Sequence, residues 1–164
     1  MTDGRDGRRI RIPASRRLSW DLLYFHQNVP LCAHDRRMNL ADVSAARDAC
    51  PVRISWPAIF IKSYAIVALD FPELRQTWYR WPWAHLYQHP SSTVTLTVQR
   101  EIKSELWLFW GQVGTPESKS LVEIQSSINR FRDGDVREVF RKQLQLARVP
   151  AILRRMIWWW NINM

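Results

Sequence analysis

Cysteine is nearly absent from this sequence, and the two present, Cys32 and Cys50, cannot make a disulfide framework. A reducing compartment is the expectation. No G-x-S-x-G elbow occurs, so the strand–turn–helix that presents a nucleophilic serine is excluded. No glycine-rich loop is available to cradle phosphates. No apolar run approaches the length that spans a bilayer. Arg5, Arg8, Arg9 and Arg11 near the start are not followed by an apolar core, so no secretory signal is expected and the cytoplasm is the expected location. Internal repeats and low-complexity linkers are also missing. Acidic residues are the minority: 15 Asp and Glu stand against 24 Lys and Arg, a net charge of +9 that favours anionic partners.

Metal-ligand spacing is missing as well. Cys32-x-His34 and His85-x3-His89 can be combined on paper, with His26 nearby, but structural zinc uses tighter paired spacings on defined elements. Pro82 and Pro90 bracket the second pair and argue against a regular helix there. No metal site is expected, and neither cysteine has a neighbour that would activate its thiol.

What is present begins with ten tryptophans and a length of 164 residues, enough for one domain with a real core. Residues 1–17 read as a flexible basic arm and 18–164 as the domain. Leu18 to Phe25 is apolar enough for a short helix, and Val29 to Arg37 alternates weakly, as a strand does. Asn39 suits the N-cap of a helix from Leu40 to Ala49. From Ala58 to Leu69 the chain is apolar almost all round, which predicts a buried central helix, the most buried in the chain. Ser55 stands at its N-cap, and Pro72 ends it.

After a Trp/Tyr-rich strip from Trp78 to Trp83, Ser91 to Gln99 alternates Thr with Val and Leu and predicts a strand. Leu106 to Val113 returns as its antiparallel partner. Ser120-x-x-Glu123 is a capping box that opens a helix with Leu121, Ile124, Ile128 and Phe131 at helical spacing. Asp133-Gly134-Asp135 is a turn. A second amphipathic helix then buries Val136, Val139, Phe140, Leu144 and Ala147 and shows Arg137, Arg141, Lys142 and Arg148 to solvent. Ala151 to Trp160 follows Pro150 as a short helix. Together these predict an α/β two-layer sandwich, a mixed sheet with helices mainly on one face.

The order of motifs resembles the catalytic-domain family shared by chloramphenicol acetyltransferase and the dihydrolipoamide acyltransferases of 2-oxo acid dehydrogenase complexes. The matching residues are Ser55, Ile61, Lys62, Ala65, Ala68 and Leu69, then Phe71-Pro72-Glu73-Leu74 and Trp78. The resemblance runs from about Arg16 to Asp133 and marks a divergent branch with extra Trp and Arg. It implies acyl transfer between coenzyme A and a thiol or hydroxyl acceptor. It also implies a trimer with its site between subunits. The base would be a His in an H-x-x-x-D-G motif, and a Ser or Thr hydroxyl would stabilise the oxyanion.

In the family both groups lie beyond the matched region, so the resemblance assigns no catalytic residue here and leaves the coenzyme A contacts unknown. Asn129-Arg130-Phe131-Arg132-Asp133-Gly134 imitates the motif, but Asn has no titratable group and cannot be the base. The family's sheet continues past the equivalent of Pro150–Asn163. Self-association, or a second polypeptide completing the sheet, is therefore expected. Three functional classes follow: an acyltransferase domain without its catalytic end, a non-catalytic assembly or binding relative, and an anion-binding module. Arg and Trp between Ala147 and Trp160 leave peripheral membrane contact open, while nucleic acid is the less expected anion.

Overall fold

The computed structural model describes residues 12–27, 32–33 and 35–163. Its helices are α1 (Arg17–His26), α2 (Ala41–Asp48), α3 (Trp56–Asp70), α4 (Leu121–Asp133), α5 (Val136–Val139), α6 (Arg141–Arg148) and α7 (Ala151–Asn163). Its strands are β1 (Gln76–Tyr79), β2 (His85–Gln88), β3 (Thr93–Ile102) and β4 (Glu105–Gly114). The architecture mixes α and β as expected. The expected single mixed sheet is corrected: the described strands form two separate two-stranded antiparallel sheets, β1–β2 and β3–β4. Of the strand expected over 29–37, Val29, Pro30, Leu31 and His34 lie outside the described residues. The rest of that stretch has no strand conformation.

The β3–β4 hairpin carries the core because alternation sorts its side chains. Thr93, Thr95 and Thr97 are exposed on one face, while Val94, Leu96 and Val98 turn toward the helices. On β4 the inward residues are Trp107, Phe109, Gly111 and Val113, with Phe109 and Val113 fully covered. Gly111 is needed there: a Cβ would run into the Phe131 ring of α4. Val113 joins Ile54, Ala58, Ile61 and Ile124 in one cluster between the hairpin, α3 and α4. Phe109 stacks on Phe140 with ring centroids 4.6 Å apart and extends the core toward α6.

Capping chemistry fixes the helix ends. In α4 the Ser120 hydroxyl accepts from Glu123 N at 3.2 Å, and Glu123 Oε2 accepts from Ser120 N at 2.7 Å, the capping box expected from sequence. Arg100 donates from Nη1 to Phe131 O and from Nη2 to Gly134 O, both at 3.0 Å, closing the other end of α4. Asn39 accepts from Ala41 N at 3.1 Å, so it serves the start of α2. Ser55 stands at the N-cap of α3, yet its hydroxyl caps nothing; its N–H donates instead to Gln125 Oε1 at 2.7 Å. The amphipathic helix expected after Gly134 is split at Phe140 (φ −113°) into α5 and α6.

Burial of α3 departs from expectation. Ala58, Ile61, Ala65 and Ala68, spaced three and four apart, form a buried stripe. Leu69, expected inside with Ile61 and Ala65, is 49% exposed, as are Phe60 and Tyr64. Small residues face the hairpin and α4, where they permit close approach. The large ones face away. The β1–β2 hairpin and α7 likewise show Trp78, Leu86, Ile152, Met156 and Trp160 to solvent.

The accessible surface is 13309 Å², against about 8,500 Å² for a compact monomer of this mass. Residues outside the described set, even counted as fully exposed chain, contribute roughly 3,000 Å² of it.

At the other end of the molecule, Arg154 of α7 donates to the Asp21 carboxylate of α1, and both side chains are buried. Arg155 reaches the second Asp21 oxygen at 3.4 Å and lies 4.4 Å above the Tyr24 ring. Ala14–Arg16 form a 3-10 turn packed on β4 with Ser15 buried, so ordered packing starts before residue 18.

Candidate functional site

The motif lysine of α3 is a structural group. Lys62 Nζ donates to the carbonyls of Glu117 and Lys119, each at 2.7 Å, and of Pro116 at 3.3 Å. One ammonium thereby satisfies the carbonyls of the turn that leads into α4. Arg75, following the Pro72-Glu73-Leu74 turn, acts similarly. Its Nε donates to Ala68 O at 2.9 Å, at the end of α3, and its Nη1 to Pro90 O at 2.7 Å.

The histidines are not brought together. His26 is exposed at the last turn of α1, and His34 lies outside the described residues. His85 is exposed on β2, where Nδ1–H donates to Trp83 O at 2.8 Å. His89 is the only one of the three described histidines beside a reactive group: its Nε2 stands 3.1 Å from Thr77 Oγ1. Tyr87 packs edge-on against the His89 ring at 4.8 Å. Thr77 and His89 line a cavity of about 340 Å³ with Tyr64, Arg75, Ser91 and Ser92.

Chemically, an imidazole beside a hydroxyl can take its proton. Acyl transfer asks for more. A base needs a group that orients it, and a developing oxyanion needs aimed donors. No Asp or Glu among the described residues lines this cavity.

Sequence reasoning did not pair Thr77 with His89. The pairing of Thr77 with Tyr87 sets His89 two residues farther along, a relation created by the register of β1 and β2. Alternation alone does not give it. The imitation motif sits at the end of α4: Asn129 Oδ1 accepts from Gln125 Nε2 at 2.9 Å, and Asp133 is held by its neighbour Arg132 at 2.8 Å.

Cys32 and Cys50 are both exposed and unbridged. Among the described residues no three His, Cys, Asp or Glu side chains cluster as metal ligands, and no helix is long and apolar enough to cross a membrane. No family model, no curated protein and no solved structure matches the chain.

Proposed function

We propose that this chain is an acyltransferase-like domain of the 2-oxo acid dehydrogenase type that works as one part of an assembly and does not turn over acyl-coenzyme A by itself. The observation that carries the assembly half is the inverted α3: alanines inward, with Phe60, Tyr64 and Val67, spaced four and three apart, outward on one face. A soluble monomer gains nothing by showing such a face, and a contiguous apolar patch marks an interaction surface. On this reading α3, α4 and the two hairpins are pieces of a two-layer sandwich. Its sheet and outer helix faces are completed by further copies, as in the family's trimer, or by a second polypeptide. The cytoplasm is the compartment consistent with two exposed, unbridged cysteines.

The catalytic half rests on the histidines. A general base for acyl transfer must be positioned, and among the described residues the only hydrogen-bond partner of the His89 ring is the Thr77 hydroxyl. Acyl-coenzyme A remains the donor that the resemblance implies, with no residue of this chain assigned to it.

Two measurements on the purified chain test the reading. Light scattering is expected to report a species larger than one 19.5 kDa chain, and Tyr64→Lys is expected to shift it toward monomer. Thiol release from acetyl- or succinyl-coenzyme A is expected to stay at the uncatalysed rate with small thiol and alcohol acceptors. A clean monomer overturns the assembly half. Turnover that disappears in His89→Gln overturns the catalytic half and makes the Thr77–His89 cavity an active site.

A further inference from the structure

Several cations of this molecule are tied into the fold. Lys62, Arg75 and Arg100 donate to backbone carbonyls, and Arg154 holds a buried carboxylate. A second set makes no such side-chain bond among the described residues. Lys103, Arg137, Arg141 and Arg148 converge, with Arg17, on a cavity of about 600 Å³ between the β3–β4 turn and α5–α6. Among the described residues no Asp or Glu lines this cavity, and none of the five cations is in an ion pair.

Local structure explains the convergence. Lys103 and Ser104 form the two-residue loop of the hairpin, both at positive φ (51° and 63°). That conformation suits Asn-Gly and disfavours a lysine, which is retained here at the rim of the cavity. Arg141 and Arg148 are seven residues apart and so share one face of α6, with Arg137 one turn earlier. Arg17 is steadied by a bond from Nη1 to Ala147 O at 3.3 Å.

The floor is apolar. Trp107 lies there, stacked on Phe109 at 5.9 Å between centroids, and Leu144 lies beside it. Five like charges around one space repel one another, and a bound anion relieves that repulsion. The volume belongs to the range of small-ligand sites. A bare phosphate would leave most of it empty.

We propose that this cavity binds an organic phosphate carrying two or more negative charges, with its phosphates on the Arg and Lys rim and its apolar or aromatic body against Trp107. A nucleoside diphosphate and the phosphomonoester headgroup of an acidic lipid share this chemistry. The proposal goes beyond the acyltransferase reading and uses none of the residues that carry it.

Isothermal titration of the full chain tests it with three probes: ADP, inorganic pyrophosphate, and vesicles of phosphatidic acid in phosphatidylcholine. ADP or the vesicles are expected to bind, and binding should weaken between about 50 and 200 mM salt. Where ADP binds, pyrophosphate is expected to be about tenfold weaker, because it lacks the body that meets Trp107. ADP alone identifies a soluble ligand, and vesicles alone identify a headgroup.

Arg141→Gln/Arg148→Gln is expected to lose at least about tenfold. Arg80→Gln/Arg130→Gln removes the same charge outside the cavity and is expected to change little. All four side chains are exposed, so folding should survive, as circular dichroism would report. Equal losses in the two double variants would mean a response to net charge and would overturn the site. So would pyrophosphate binding as tightly as ADP, or no binding of any probe at about 1 mM.

Discussion

Replacing Lys62 with Met removes an ammonium while keeping an unbranched side chain of similar length on α3. Three carbonyls then lose their donor: Glu117 and Lys119 at 2.7 Å and Pro116 at 3.3 Å. Hydrogen bonds to a charged group contribute about 1.5–3 kcal/mol each. The two short bonds therefore set a ceiling of about 3–6 kcal/mol, and the long one adds little. Lys62, Glu117 and Lys119 are half-buried, so water can reach part of the turn and replace part of the loss.

The expected destabilisation is about 2–3 kcal/mol, a large share of the 5–15 kcal/mol typical of a domain. In urea it should lower the midpoint by about 1–2 M, given slopes of about 1–3 kcal/mol/M. The loss should also be local before it is global. Glu117 Oε1 accepts from Ser92 N at 3.2 Å, and Ser92 O accepts from Thr115 N at 2.9 Å. Loosening the 116–119 turn should therefore deprotect the amides of Ser92 and Thr115 in hydrogen exchange. Lys62→Arg should recover only part, because a planar guanidinium cannot aim three donors from one atom. A Lys62→Met stability within about 0.5 kcal/mol of the parent, with Ser92 still protected, would refute the assignment of Lys62 as the clamp of this turn.

Asp21→Asn leaves Arg154 buried without a counter-charge, and a loss of about 3–5 kcal/mol is expected by chemical denaturation; Asp21→Leu/Arg154→Leu should recover much of it, and a neutral Asp21→Asn would refute the role of this pair in docking α7 on α1. The Glu123 carboxyl is held below its ordinary value of 4.5 chiefly by the Ser120 backbone N–H, then by the Ser120 hydroxyl, so its contribution is present above that value and lost as pH falls through the lowered folded one. The parent should therefore exceed Glu123→Gln in urea midpoint at neutral pH, with the gap closing as pH falls below 4.5 and through the lowered folded value. Asp133, also held low by Arg132, titrates in both proteins and cancels in the comparison. A gap that persists undiminished at low pH would refute the ionised capping box.

How much of this was legible in the sequence depends on how far apart the cooperating residues are. Ser120-x-x-Glu123 was readable because both halves of the capping box lie within one turn, and the alternation of β3 because each residue declares its own face. Helix α1 and the antiparallel return of β4 were readable for the same reason. The break at Phe140 was not: no Gly or Pro marks it, and the residue keeps its bond to Val136 O while φ moves to −113°. Nor was the protection of the β4 edge. Gln143 accepts from Trp110 N at 3.0 Å and donates to Trp110 O at 2.7 Å, as a neighbouring strand would. Nothing local in a glutamine 33 residues away announces that. The Lys103-Ser104 loop carries residues that the turn type disfavours, so its chemistry hid its length.

Helix α3 shows most sharply what composition withholds. An apolar circumference tells that a helix will be covered; it does not tell by what. Within this chain the hairpin and α4 offer room only for a stripe of alanines with one isoleucine, because close helix packing selects small side chains. The same reasoning applied to the far side gives the opposite requirement. Phe60, Tyr64 and Val67, spaced four and three apart, would overfill the near interface, and nothing among the described residues covers them. Both faces of α3 are thus apolar, one packed on residues of its own chain and one half-exposed. The first is met by Ile54, Val113 and Ile124. The second leaves the helix, read in sequence as the centre of one domain, with an exposed apolar side, and on the assembly reading proposed above that side is where a partner would sit.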